Sequence, residues 1–93
     1  MLKISRPTLS GTRTLTFALP AAALDGPVSV VGSFNDWTPG AHPLRRRSNG
    51  TVSARVVVPV GSTVRFRYLG DRGRWFDDAD ADEITAEGGV VRA

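Results

Sequence analysis

The sequence has no cysteine. That absence excludes a disulfide framework, a thiolate metal site and a cysteine nucleophile, and leaves folding to packing and backbone pairing. A reducing cytoplasm is the expected compartment. Histidine is nearly absent too: His42 stands between Ala41 and Pro43, and a lone imidazole completes neither a catalytic triad nor a histidine metal site. No stretch approaches the roughly 18 apolar residues of a spanning helix, and no signal-length apolar run follows Lys3 and Arg6. A soluble, unexported chain without a membrane partner is expected. Acidic residues are scarce early on. Residues 1 to 74 carry 11 basic and 3 acidic side chains, whereas residues 75 to 93 carry 1 basic and 6 acidic. The expectation is that the acidic segment folds back and the two halves neutralise one another, so nucleic acid is not the expected partner. Helical periodicity is also missing.

What the chain does have is alternation. Its 93 residues, 41% of them apolar, suit one small domain, residues 1 to 93, with one modest core. The organising stretch is residues 28 to 37, VSVVGSFNDW, with Val28, Val30, Gly32 and Phe34 on one side and Ser29, Val31 and Ser33 on the other. Asn35 and Asp36 then break the pattern as turn formers and deliver Trp37 to the rim of a sheet. Residues 12 to 19 put Leu15, Phe17 and Leu19 on one face. Pro20 ends that strand, a single helical turn fits residues 21 to 23, and Asp25-Gly26-Pro27 is turn chemistry. Residues 35 to 43 read as a loop and residues 44 to 47 as a short edge strand, whose arginines discourage edge-to-edge pairing. Asn49-Gly50 is a hairpin signal. Residues 51 to 58 and 63 to 69 alternate again, placing Val64, Phe66 and Tyr68 inward and turning Arg65 and Arg67 outward. A turn at residues 70 to 73, a short strand at 74 to 76, an exposed acidic loop at 77 to 83 and a last strand at 89 to 92 complete the reading. Of Trp75 and Phe76, which fall on opposite faces, one is expected in the core. About seven short strands with closely spaced turns predict an all-β, immunoglobulin-like antiparallel β-sandwich. A small barrel is the alternative.

The acidic loop invites two chemical readings, and both fail. Asp78, Asp80 and Asp82 have the spacing that opens a calcium loop, yet Glu83 occupies the glycine position and Gly89 the final glutamate position. Paired carboxylates for glycoside hydrolysis need a cleft that holds them at a set separation with one kept protonated by burial. An exposed loop on so small a chain provides neither. The expectation is a non-enzymatic protein with no catalytic residue, metal or cofactor.

The residues VVGSFNDW at 30 to 37 and PVGSTVRFRYLGDRGRWFDDADAD at 59 to 82 resemble the early-set (isoamylase N-terminal-like) domain that precedes the catalytic barrel of isoamylases and glycogen-branching enzymes. They are similar also to the glycogen-binding domain of the AMP-activated protein kinase β subunit, a family-48 carbohydrate-binding module. The likeness spans residues 27 to 92 and implies the same sandwich. It further implies a carbohydrate-binding site in which Trp37 and Trp75 stack on glucose rings and Arg67, at a position that is lysine in the kinase subunit, bonds sugar hydroxyls. This chain has one extra residue in the turn before Trp75. Where the family has a sugar-bonding asparagine this chain has Val91, and where the kinase subunit has an apolar gripping residue it has Glu87.

The physics of such a platform is simple. Pyranose rings lay a patch of C–H groups on an indole face while their hydroxyl rim needs donors at the edge. The resemblance implies that the partner is an α-glucan polysaccharide or oligosaccharide, such as glycogen, starch or a maltooligosaccharide. The alternative is an early-set scaffold that has lost sugar binding and docks on a protein, such as an enzyme of glycogen metabolism. A weaker third reading is single-stranded nucleic acid held by Arg65, Arg67 and the aromatics.

Overall fold

The computed structural model describes residues 2 to 24 and 26 to 93, and the side chains of all of these except Ala23 and Arg72. Asp25 of the predicted Asp-Gly-Pro turn lies outside the described residues. Nine strands are described: β1 (Leu2–Ile4), β2 (Thr12–Pro20), β3 (Ser29–Gly32), β4 (Arg45–Arg46), β5 (Thr51–Pro59), β6 (Thr63–Leu69), β7 (Trp75–Phe76), β8 (Glu83–Thr85) and β9 (Gly88–Arg92). They form two open antiparallel sheets, a first ordered β1-β2-β5-β4 and a second ordered β3-β6-β9-β8, with β7 paired on β6 beyond the end of β9. Because neither sheet closes, the architecture is the immunoglobulin-like sandwich of early-set type and not the barrel.

Alternation explains the layering. In β2, Leu15 and Phe17 are fully buried and pair with Val56 and Ala54 of β5, while the intervening threonines face away. The second sheet answers with Val30, Val64, Phe66, Tyr68 and Val91. Phe17 is the hinge between the layers: its ring centroid lies 4.8 Å from that of Phe66, 5.8 Å from Phe34 and 6.4 Å edge-on from Tyr68. Such offset and edge contacts add to the gain from burial alone.

Two short strands and one boundary depart from the expectation. Neither β1 nor β8 was foreseen, each having only three residues and therefore no readable period. Strand β3 stops at Gly32 and not at Phe34, because residues 33 to 35 wind into a 3-10 turn. The predicted loop 35 to 43 also has an ordered end. There, Val30 N–H donates to His42 O, Leu44 N–H donates to Val28 O, and Pro43 bridges Ser29, so the chain returns antiparallel along the free edge of β3.

Candidate functional site

The segment Gly32-Ser33-Phe34-Asn35 is a device for turning the chain, and each residue has a mechanical duty. A Cβ on Gly32 would stand 2.3 Å from Arg65 O and 2.7 Å from the Phe34 ring, so only glycine lets β3 approach β6 this closely. Ser33 Oγ accepts from Arg65 N–H at 3.2 Å. Phe34 drops onto Phe17, with the His42 ring edge-on at 5.2 Å. The Asn35 amide ties the turn at three points: Oδ1 accepts from Gly32 N–H at 3.0 Å, and Nδ2 donates to Val30 O at 3.2 Å and to His42 Nδ1 at 2.9 Å. An amide nitrogen only donates, so His42 Nδ1 accepts and carries no proton here. Sequence reasoning took Asn35 for a generic turn former and missed this hub.

Trp37 follows with its N–H bonded to Gly32 O at 2.9 Å. Both Asp36 and Trp37 are left-handed, at φ 53° and 58°, a conformation that costs a non-glycine residue on the order of 1–2 kcal/mol. The indole is 39% exposed. It is neither plugged into the interior nor fully free.

Trp75 reaches the surface by a different route. In β7 it pairs with Leu69, and Phe76 pairs with Tyr68. Tyr68 faces the core, so strand parity turns Phe76 inward, where it packs 5.2 Å from the Tyr68 ring, and turns Trp75 outward with 46% exposure. The expected division between the two aromatics is thus resolved in favour of an outward Trp75. Arg67, two residues before Leu69, shares that outward face. Trp37 stands beyond the Gly32 end of β3, whereas Trp75 is level with Ser29 at the other end.

Arg67 is less free than its parity suggested. Its Nη2 donates to Ala86 O at 2.7 Å, and its Nε lies 3.3 Å from Asp77 Oδ1 as an ion pair without hydrogen-bond alignment. Its stem crosses Gly88, where an added Cβ would meet Arg67 Cγ at 3.0 Å and Phe66 O at 2.8 Å. Arg65 pairs with Glu87 at 2.5 Å. Val91 is fully buried in the core and presents nothing to a ligand. Beside Leu69 lies an open groove of about 280 Å³, lined among others by Pro27, Ser29, Pro43 and Asp71. Nothing in the sequence pattern indicated it, because its two walls come from segments brought together by the return of the chain along β3.

The expected exposed acidic loop is corrected at Asp78, which is 5% exposed. Its Oδ2 accepts from the Tyr68 hydroxyl at 2.6 Å and its Oδ1 from Asp80 N–H at 2.8 Å. Burial, then the bond to Asp78 and the charges of Asp78 and Asp80, push the Tyr68 phenol far above its ordinary value. A signal for this pair did exist, since a tyrosine on a core-facing position needs a buried acceptor. Among the described residues no cluster of three or more His, Cys, Asp or Glu side chains could hold a metal ion. No described helix is long and apolar enough to cross a membrane.

No family model matches the chain. Among curated proteins it is similar to the 1,4-alpha-glucan branching enzyme GlgB of Novosphingobium aromaticivorans, with 40% identity over 60 residues, 62% of this chain. It is also similar to the 1,4-alpha-glucan branching enzyme GlgB of Deinococcus radiodurans, with 43% identity over 54 residues, 57% of this chain. In both cases the aligned part is 8% of the relative, so the likeness concerns a small segment of each enzyme.

Proposed function

We propose that this protein is a non-catalytic α-glucan-binding module, in which Trp37 and Trp75 carry glucose rings and Arg67 offers donors to their hydroxyls. The observation that carries the reading is the outward Trp75, on one sheet face with Arg67, together with a second half-open indole held out at an energetic cost. Aromatic faces of this kind suit the apolar side of a pyranose, and two of them anchored toward opposite ends of β3 suit consecutive units of a glucan chain. The similarity to segments of two enzymes named for 1,4-alpha-glucan supports the choice of sugar. Titration with maltoheptaose, followed by tryptophan fluorescence and amide shifts, tests it. Both indoles are expected to respond, and Trp75→Ala should weaken binding about tenfold, the worth of one stacked ring.

A second reading has its own observation. Glu87 is occupied by Arg65, Val91 is in the core, and two of the three Arg67 nitrogens already face protein oxygens. A scaffold that has given up sugar binding would look the same at these positions. Silence of both tryptophans at millimolar maltoheptaose selects it.

A further inference from the structure

The charge of this protein is sorted by sheet. The strands of the first sheet, β1, β2, β4 and β5, contain Lys3, Arg13, Arg45, Arg46 and Arg55 and neither Asp nor Glu. Leu2, Ile4, Leu15, Phe17, Ala54 and Val56 take the inward parity, so Lys3, Thr16 and Arg55 form one outward row across three strands. Arg45 pairs with Ser53 in the next row, and Arg47 Nε donates to Ser53 Oγ at 2.7 Å, which brings a fourth cation onto the same face. Val57, 65% exposed, adds an apolar spot beside Arg55. The expected neutralisation takes place elsewhere. The ion pairs among the described residues join Arg65 to Glu87, Arg67 to Asp77 and Arg92 to Glu83, all within the second sheet and its loops. Asp78 is spent on Tyr68 and Asp82 on the Arg92 N–H. The acidic segment therefore answers the arginines of its own sheet, and among the described residues Lys3, Arg45, Arg47 and Arg55 have no carboxylate within ion-pair reach.

We infer that the outward face of the first sheet docks on an acidic protein surface. Four uncompensated cations on one face fit carboxylates by charge, and arginine forks take them two oxygens at a time. Three of the four are arginine, the cation favoured in protein interfaces, and Val57 supplies the apolar contact such interfaces include. The face has no aromatic residue on which a base could stack, which disfavours a single-stranded nucleic acid. A second copy of the chain is disfavoured too, because its acidic segment is already paired. In the relatives, the corresponding segment is a small part of a much longer polypeptide. Contact with protein is thus the natural setting for one face, and here that face selects acidic neighbours. It is separate from the tryptophan face on the other sheet.

The test uses poly-L-glutamate as the probe and a duplex DNA of similar charge as the comparison, at about 150 mM salt, where longer-range attraction is screened. Poly-L-glutamate should shift the amides of Thr16, Ser53, Arg55 and Arg45 and leave those of β7 to β9 unmoved. Arg45→Gln with Arg55→Gln should weaken binding about tenfold, whereas Arg92→Gln should not weaken it. Thermal melts of the variants establish folding, and the amide shifts of the unaltered protein stand on their own if a variant fails. Shifts spread evenly over both sheets, equal loss in Arg92→Gln, tighter binding of the duplex, or no binding of poly-L-glutamate would each overturn the proposal.

Discussion

Alkaline titration of the buried Tyr68 hydroxyl probes how the acidic segment is anchored. Tyr68 is the chain's single tyrosine, and the folded state raises its proton affinity through burial and through Asp78. In the unfolded chain the phenol ionises near its ordinary value of about 10. The sign follows from these two states. The folded value lies above the unfolded one, so stability is undiminished below about pH 10 and falls as pH rises further, while only the unfolded chain can release the proton. At about pH 12 the loss is about 2.7 kcal/mol, two units at about 1.36 kcal/mol each. Against the ~5–10 kcal/mol common for a chain of this size, that is a large fraction. The background is quiet, since arginines keep their charge in this range and Lys3 is the sole lysine. Urea unfolding at a series of pH values should show the midpoint falling above about pH 10. Tyrosinate absorbance should rise only with loss of structure, and Tyr68→Phe should remove the pH dependence. Reversible tyrosinate formation near pH 10 with tertiary circular dichroism unchanged would refute the reasoning.

Other consequences can be checked separately. Asn35→Ala removes three hydrogen bonds at about 1 kcal/mol each, so a loss of about 3 kcal/mol in denaturant unfolding is expected, with disturbed amide signals from residues 36 to 43. Gly32→Ala forces a Cβ into Arg65 O and should cost more than about 3 kcal/mol or abolish folding, as read by circular dichroism. Phe17→Ala empties the contact between the sheets and should cost about 3–5 kcal/mol. Gly88→Ala drives a Cβ into Phe66 O at a φ of 122° that side chains rarely adopt, besides displacing the Arg67 stem, so it should lower the denaturant midpoint as well as weaken maltoheptaose binding.

The parts of the fold that were legible are those written in a local code. Strands β2, β5 and β6 announce themselves because Leu15, Phe17, Val56, Phe66 and Tyr68 alternate with polar residues over seven or more positions. The inward Phe76 and outward Trp75 follow from the same parity. Three-residue strands such as Glu83–Thr85 have too few positions to show a period and exist because β9 is there to pair with. The site was legible in direction but not in partners. That Arg67 leaves the core can be read from its neighbours, but Asp77 and Ala86, which hold it, arrive from two loops that only the folded sheet brings together. Asp78 looked like one acid in a run of them. What distinguishes it is a hydroxyl ten residues earlier, on the far side of a turn.

The left-handed backbone at residue 37 bears on how this chain would drift. A glycine there would relieve on the order of 1–2 kcal/mol of torsional discomfort and forfeit a half-buried indole worth roughly 2 kcal/mol. The two nearly cancel. Selection for heat resistance alone would therefore hardly notice the exchange, and a library screened only for folding should admit glycine at this position but not alanine, which keeps the strain and loses the ring. One screened for retention on immobilised glucan should keep the ring.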